Sequence, residues 1–242
     1  MKTEICQPTR RNLARAWNLA LAVGAGVLLL SAGCRKPCRP GGCLTAPAPA
    51  APAAPAALEE DLFDGRTLEG WKAADFAGSG ELEVKNGELI LNEGVMTGVN
   101  YTNELPKMDY EVSWDAKRIS GSDFFCSLTF PVADSFCTLI VGGWGGGVVG
   151  ISSVDSMDAS ENETTKFINF ENNKWYHFRI RVTKTLLEAW IDTDKVVDLK
   201  TKGRALSLRP GEIESSKPFG FATWASGGAL KNIKLKKLKP EE

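Results

Sequence analysis

One segment of the sequence, residues 107–117, alternates between polar and apolar side chains without a break. Its apolar positions are Met108, Tyr110, Val112, Trp114 and Ala116, and the polar residues between them are Asp109, Glu111, Ser113 and Asp115. Successive side chains of a β-strand point to opposite faces, so this period of two predicts a strand with one buried face and one solvated face. Such strands are typical of antiparallel sheets. The segment therefore predicts an antiparallel sheet packed against a core.

The rest of the chain after residue 57 shows the pattern of further short strands separated by turns. A hairpin is predicted where Leu82–Lys85 and Glu88–Asn92 flank Asn86-Gly87, because this dipeptide supplies both positive-φ residues of a type I′ turn. The other predicted strands are 124–130, 137–141, 148–152, 164–168, 175–183, 186–192, 219–223 and 230–238. Short strands at this spacing predict a single all-β domain, residues 58–242, built as an antiparallel β-sandwich or jelly roll.

The first 33 residues have the composition of an export signal. Four basic residues, the last of them Arg15, precede residues 16–30, which are apolar except for Asn18. A basic stretch before a short apolar core is typical of a secretory signal peptide, whereas a membrane span needs about 20 apolar residues. We therefore predict a signal peptide at residues 1–33, with an uncleaved membrane anchor as the alternative.

A cysteine follows the apolar run in the sequence Leu30-Ser31-Ala32-Gly33-Cys34. This resembles the lipobox of bacterial lipoproteins, in which Cys34 would carry the lipid, although Ser31 stands where the pattern prefers leucine. Ordinary signal-peptidase cleavage is the alternative. Residues 34–57 continue as a Pro/Ala-rich linker, whose backbone favours extended, semi-rigid conformations. We expect the domain to be exported to the periplasm or cell surface and held on a bacterial membrane by a lipid anchor.

Cys126 and Cys137 lie on two neighbouring predicted strands, with Pro131–Asp134 as the turn between them. If Thr129 pairs with Asp134 across that turn, Cys126 lies opposite Cys137. An oxidising compartment would then favour a cross-strand disulfide, which we predict. A slip in the register would instead leave two buried free thiols.

Charge and histidine content exclude two kinds of partner. The net charge is −1, so no large basic surface is expected to neutralise phosphates, and nucleic acid is not a predicted partner. His177 is the only histidine, which excludes a multi-histidine metal site. We predict neither a metal nor a cofactor.

Four segments within residues 61–238 resemble the motifs of one protein family. Residues 62–71, LFDGRTLEGW, resemble its opening motif LFNGKDLxGW, and residues 83–89, EVKNGEL, resemble its VxxGxL element. Residues 174–192 resemble its WNxxxI…vwlNG hairpin, and residues 231–235, KNIKL, resemble its closing RNIxIxxL strand. The family is that of 3-keto-disaccharide hydrolase domains. The resemblance implies a concanavalin A-like sandwich that acts on carbohydrate.

The chemistry that the resemblance implies begins with a ketone at C3 of a sugar, which acidifies the hydrogen on C2. A base removes that proton and the glycosidic oxygen leaves C1, which requires an enolate stabiliser and an acid for the leaving group. The sequence departs from the family in three stretches. Residues 121–127 lack its arginine, residues 137–141 lack its acid, and residues 222–225 replace its QDHG motif. No catalytic residue is therefore carried over, and two functions stay open: a 3-keto-glycoside hydrolase or lyase, and a non-catalytic carbohydrate-binding or adhesive module.

The first candidate ligand site is a glycine-rich loop with acidic residues after it. Trp144 lies among the glycines of residues 142–147, so its neighbours have no side chains to cover the indole; Asp155, Asp158, Glu161 and Glu163 follow. Tryptophan stacks on the apolar face of a sugar while carboxylates accept hydrogen bonds from its hydroxyls. Such oxygens could also bind Ca²⁺, but no EF-hand-like spacing is present and calcium is not predicted. The alternative is a solvated acidic loop with Trp144 packed under the sheet.

The second candidate site is the polar face of the predicted hairpin at residues 175–192. This face contains His177, Arg179, Arg181, Glu188 and Trp190. If it lines a concave sheet, it offers a base, cations for an enolate and a stacking ring. If it does not, it is an outer surface covered by ion pairs, which contribute little to stability.

Replacing Cys34 by serine tests the predicted anchor. We expect the wild-type protein to incorporate a labelled fatty acid and to fractionate with membranes, whereas Cys34→Ser should incorporate none, because it has no thiol to accept the lipid. Metabolic labelling followed by membrane fractionation measures both. Equal, lipid-free secretion of the two proteins would contradict the prediction.

Overall fold

The structure of the protein is a computed structural model that describes residues 59–239. The predicted signal peptide, Cys34 and the linker lie outside these residues. The described residues form fifteen strands: β1 Glu59–Asp61, β2 Trp71–Ala73, β3 Leu82–Lys85, β4 Glu88–Leu91, β5 Met96–Tyr101, β6 Tyr110–Gly121, β7 Ser127–Val132, β8 Ser135–Gly142, β9 Val148–Ser152, β10 Lys166–Phe167, β11 Tyr176–Val182, β12 Leu186–Ile191, β13 Asp194–Lys200, β14 Gly220–Trp224 and β15 Ser226–Lys237. A four-residue helical turn, Gly143–Gly146, and a 3₁₀ helix, Glu212–Ser216, complete the elements. No helix within residues 59–239 combines the length and apolar character needed to cross a bilayer.

The strands form two antiparallel sheets packed face to face, which confirms the predicted sandwich. The first sheet has the order β13-β12-β11-β6-β15-β4-β3, with β1 paired to β15. The second sheet has the order β10-β9-β8-β7-β14-β5-β2. Six of the thirteen neighbouring pairs are consecutive in the chain and seven are not, so the fold depends on long-range pairings as well as on local hairpins.

The alternating segment forms the first half of β6, the central strand of the first sheet. Tyr110, Val112, Trp114 and Ala116 are fully buried, and the residues between them are half-exposed. The strand begins at Tyr110 rather than at Lys107, because Asp109 adopts a positive φ of 56° and interrupts the extended backbone. The predicted inward and outward faces are therefore confirmed.

Local turn chemistry also places the hairpin of β3 and β4 as predicted. Lys85 pairs with Glu88 across the turn, and Asn86 and Gly87 have φ values of 54° and 82°. By contrast, β5 was not predicted, because all six of its residues are buried and it shows no alternation. A strand covered on both faces lacks the period-two signal on which the prediction depends.

An aromatic cluster joins the two sheets at the centre of the core. Trp114 of the first sheet stacks on Phe178 of the same sheet, with ring centroids 5.4 Å apart. Its edge meets Phe221 of the second sheet, also at 5.4 Å, and Phe221 in turn packs 6.0 Å from Trp71. Aromatic pairs of this kind contribute about 0.5–1.5 kcal/mol each beyond the area that they bury.

The predicted disulfide is wrong, and the reason is the register of β7 and β8. Thr129 lies opposite Thr138, four residues beyond the predicted Asp134, and Cys137 lies opposite Phe130. Cys126 is four residues from Phe130, which is about 13 Å at ~3.3 Å per residue and beyond the reach of a disulfide. Both cysteines are buried free thiols. The turn consists of Ala133 and Asp134 alone, whereas the predicted turn was Pro131–Asp134. β7 therefore continues through Pro131 and Val132, and the pairing between the two strands shifts.

The two thiols should be unreactive in the native protein. Burial raises the pKa of the Cys137 thiol to about 12 and raises that of Cys126 further, so the reactive thiolate is scarce at mildly alkaline pH. We expect iodoacetamide to label both cysteines at least about a hundredfold more slowly in the native than in the denatured protein, as measured by peptide mass spectrometry. Joined peptides in a non-reduced digest, or fast native labelling, would contradict this assignment.

Candidate functional site

A cavity of about 420 Å³ lies on the outer face of the second sheet, away from the core. Strands provide its floor and four loops provide its walls. The residues that line it are Met96, Asp123, Phe124, Thr138, Ile140, Trp144, Ser152, Asp158, Arg209, Pro210, Glu212, Ile213 and Trp224. We call this cavity the cleft.

Strand alternation determines which residues reach the floor of the cleft. In β8, Leu139 and Val141 are fully buried in the core, so Thr138 and Ile140 point to the opposite face. Ser152 of β9 pairs with Thr138 in the sheet and lies beside it on that face. β8 and β9 therefore contribute two small hydroxyl groups and one apolar side chain to the floor, and Met96 of β5 adds a second apolar side chain.

Two tryptophans and a phenylalanine form the aromatic part of the cleft. Trp144 is 47% exposed and Trp224 is 41% exposed, although both are large apolar residues. Phe124 lies between the loops, with its ring 6.4 Å from that of Trp224, and its carbonyl accepts a hydrogen bond from the Trp224 amide. Neither indole is packed under the sheet, so both offer a ring face to the cavity.

The Trp144 turn is held in place by Asp123. One carboxylate oxygen of Asp123 accepts a hydrogen bond from the Gly145 amide at 2.9 Å, and the other accepts one from the Phe124 amide at 2.8 Å. Trp144 itself adopts a left-handed conformation, with φ and ψ both 51°, which is uncommon for a residue with a Cβ atom. The carboxylate of Asp123 therefore fixes the turn that presents the indole.

The polar wall of the cleft is an ion pair. Asp158 accepts hydrogen bonds from the Ser152 hydroxyl at 2.7 Å and from the Ala159 amide at 2.9 Å, and its second oxygen lies 3.0 Å from Nη1 of Arg209. The Arg209 guanidinium also lies 6.0 Å from the Trp144 ring. Glu212 has one weaker contact, 3.4 Å from the Ala77 amide to a carboxylate oxygen. Hydrogen-bond donors, acceptors and aromatic faces thus converge on one cavity.

The structure separates the acidic residues of the first candidate site. Asp158 lines the cleft, but Asp155 and Glu163 both pair with Arg204, and Glu161 is exposed away from the cavity. Arg204 thereby ties the 153–165 loop to the segment that carries Arg209. Within residues 59–239, no three His, Cys, Asp or Glu side chains are grouped as a metal site would require.

The second candidate site lies on the other sheet. His177, Arg179 and Trp190 are on the outer face of the first sheet, whereas the cleft is on the second. Each has a partner: His177 Nδ1 lies 2.7 Å from Asp115, Arg179 lies 3.0 Å from Glu111, and the Arg179 guanidinium lies 3.8 Å from the Trp190 ring. On this face Glu188 is also paired, with Lys195 at 2.5 Å and Arg181 at 3.9 Å. These residues form an ion-paired surface and do not contribute to the cleft.

Residues 59–236 match the family model described as the 3-keto-alpha-glucoside-1,2-lyase-like domain. The chain belongs to this family. The match covers nearly all of the described structure, so the cleft and both sheets are part of the lyase-like domain.

Solved structures with the same fold include several carbohydrate-active proteins. A Crh5 transglycosylase in complex with NAG has a TM-score of 0.53 at 13% identity, covering 77% of this chain and 86% of that one. A prokaryotic β-1,3-1,4-glucanase (lichenase) from a mouse hindgut metagenome has a TM-score of 0.50 at 10% identity, covering 75% and 99%. These identities show a shared fold only. No curated protein matches the sequence.

The cleft of the lyase-like domain contains residues from all three stretches that depart from the family motifs. Asp123 and Phe124 come from residues 121–127, Thr138 and Ile140 from residues 137–141, and Trp224 from residues 222–225. The sequence showed these stretches only as three separate departures from the family motifs. It did not indicate that they meet in one cavity. Arg209 and Glu212 had no signal at all, because they lie in an irregular segment without a motif.

Proposed function

We propose that the lyase-like domain binds a saccharide in the cleft. The observation that carries this proposal is the pair of half-exposed indoles, Trp144 and Trp224, beside the Asp158–Arg209 ion pair. The C–H groups of a sugar ring stack on aromatic faces, while its hydroxyls need both donors and acceptors. The shared fold with carbohydrate-active proteins and the family match support the same ligand class.

Residual hydrogen-bonding capacity in the cleft suits sugar hydroxyls. Arg209 has five N–H groups and uses one nitrogen on Asp158, so further donors stay free for a ligand. The ion pair is not needed for stability, because Arg209 is 61% exposed and exposed pairs contribute about 0–1 kcal/mol. Its position at the mouth of the cleft is better explained by ligand binding.

Alanine substitutions of the tryptophans test the binding site. With trehalose, a disaccharide of glucose, as the probe, Trp144→Ala and Trp224→Ala should each weaken binding at least about fivefold, since loss of one aromatic stacking partner removes about 1 kcal/mol. Because both side chains are half-exposed, each should lower the free energy of unfolding by no more than about 1 kcal/mol. Calorimetric titration and denaturant unfolding measure these quantities.

Two other tryptophans provide matched controls. Trp190→Ala removes an indole from the ion-paired face and should leave binding unchanged. Trp114→Ala removes the core indole and should cost about 3–5 kcal/mol of stability. A large stability loss in Trp144→Ala, or equal binding by Trp190→Ala and Trp144→Ala, would refute the assignment of the cleft.

The second candidate function is elimination from a 3-keto-glucoside, which family membership favours. Of the three carboxylates that line the cleft, Asp123 accepts hydrogen bonds from two backbone amides, and Asp158 accepts two hydrogen bonds and pairs with Arg209, so both are already occupied. Glu212 has a single long contact and is the freest of the three. In this proposal Glu212 removes the C2 proton, Arg209 stabilises the enolate oxygen at C3, and the C1–O bond breaks to leave an enone and the free leaving group, which takes up a proton.

A chromogenic substrate tests the elimination. With a 3-keto-glucoside that carries a nitrophenol leaving group, the wild-type protein should release nitrophenol, and Glu212→Gln should lower kcat about 10²–10⁴-fold with KM changed far less. Glu161→Gln, an exposed glutamate outside the cleft, is the control. If the wild-type protein binds the saccharide but releases no nitrophenol, the domain is a binding module.

We also propose that the domain acts outside the cytoplasm on a lipid anchor. This proposal rests on the basic and apolar residues of the first 33 positions, the lipobox-like segment that ends at Cys34, and the Pro/Ala-rich linker after it. A linker of this composition would hold the cleft away from the membrane surface.

A further inference from the structure

An arginine breaks the alternation of the central strand. In β6 the residues that face the core are Tyr110, Val112, Trp114 and Ala116, and the next position in this phase is Arg118. Arg118 is only 7% exposed, and its guanidinium lies 5.7 Å from the ring of Phe125. A charged side chain at a core-facing position breaks the pattern in which β6 places apolar residues inward and polar residues outward. Exceptions of this kind concentrate at functional sites.

Among residues 59–239, the buried guanidinium of Arg118 has no negative partner. Its Nε donates to the Asn172 side-chain oxygen at 2.6 Å and its Nη2 donates to the Phe170 carbonyl at 2.7 Å, and both acceptors are neutral. Nη1 has no hydrogen-bond partner. None of the ion pairs formed within residues 59–239 includes this arginine. A buried cation without a counter-charge is costly, so an incoming anion would be favoured.

Arg118 lines a second cavity, of about 390 Å³, on the far side of the Trp144 turn. Its other lining residues are Ser122, Gly145, Gly146, Gly147, Phe167, Ile168 and Asn169. Of the three consecutive glycines, Gly146 lies over the guanidinium with backbone alone: a Cβ atom there would lie 3.1 Å from Nη1. The glycine run that presents Trp144 to the cleft therefore also forms the wall of this cavity.

We propose that this second cavity is a carboxylate-binding site centred on Arg118. A carboxylate supplies the two things that the guanidinium lacks, a negative charge and an acceptor for Nη1, in the planar geometry that arginine recognises. Because the Trp144 turn contributes Trp144 to the cleft and Gly145–Gly147 to the second cavity, we assign the carboxylate to an acidic sugar unit, a uronic acid, next to the sugar in the cleft. The assignment to a uronic acid rests on the proposed function, whereas the anion site rests on the geometry of Arg118.

Comparison of glucuronate with glucose tests the site in the full protein. At constant ionic strength, sodium glucuronate should bind at least about tenfold more tightly than glucose, as measured by calorimetric titration. The same preference should persist in Trp224→Ala, which removes an aromatic face of the cleft but leaves Arg118 in place. Equal affinities for the two sugars in the wild-type protein, or loss of the preference in Trp224→Ala, would overturn the proposal.

A substitution of nearly the same shape can place a negative charge beside Arg118 within the protein itself. In Asn172→Asp a carboxylate replaces the amide that contacts Nε, so we expect the melting temperature to rise and the preference for glucuronate to disappear. Asn173→Asp adds the same charge one residue away, without a side-chain hydrogen bond to Arg118, and should keep most of the preference. If Asn172→Asp retains the full preference, the anion binds elsewhere. Because trehalose binding by the cleft tryptophans is measured separately, failure of the cleft assignment and failure of this site are distinguishable.

Discussion

The contact of Trp114 with Phe178 and Phe221 is the interaction on which the rest of the structure depends. It joins the central strand of one sheet to β14 of the other and uses the inward face of each. Once these rings fix the distance between the sheets, the inward faces are occupied by core residues, and ligand chemistry has to be built on the outer faces or at the ends of the sandwich. The cleft is on one outer face, and the Arg118 cavity is at one end.

The two outer faces of the sandwich differ in how their tryptophan rings are covered. On the outer side of the first sheet, two tryptophans are covered by cations: Trp190 by Arg179, and Trp175 by Lys117 and Lys231 at 4.5 and 4.0 Å. On the second sheet, the only cation near either ring within residues 59–239 is Arg209, 6.0 Å from Trp144, and both Trp144 and Trp224 keep nearly half of their surface open. Stacked cations satisfy an indole within the protein, whereas an open indole is available to a ligand. The two faces therefore differ in whether their indole rings are already stacked by cations of the protein. This difference identifies the cleft more clearly than the mere presence of tryptophan does.

The sequence predicted those parts of the fold that are encoded locally. Alternation placed β6 and its buried face, and Asn86-Gly87 placed a hairpin to the residue, because both signals act over a few positions. The register of β7 and β8 depends on the length of a turn, and a turn shorter than expected moved Cys137 away from Cys126. Of the candidate ligand residues, only Trp144 and Asp158 line the cleft. Arg209, Glu212 and Trp224 are brought there by pairings between distant segments, which no short-range pattern reports.

Arg204 reduces the conformational entropy that the cleft loses when a ligand binds. Its ion pairs with Asp155 and Glu163 join the loop that carries Asp158 to the segment that carries Arg209. Loops that are free in solution lose conformational freedom when a ligand orders them, and that loss subtracts from the affinity. Here the two loops are already tied to each other in the folded protein. The loss is therefore incurred once, during folding, and the polar wall of the cleft meets its ligand in a preorganised state.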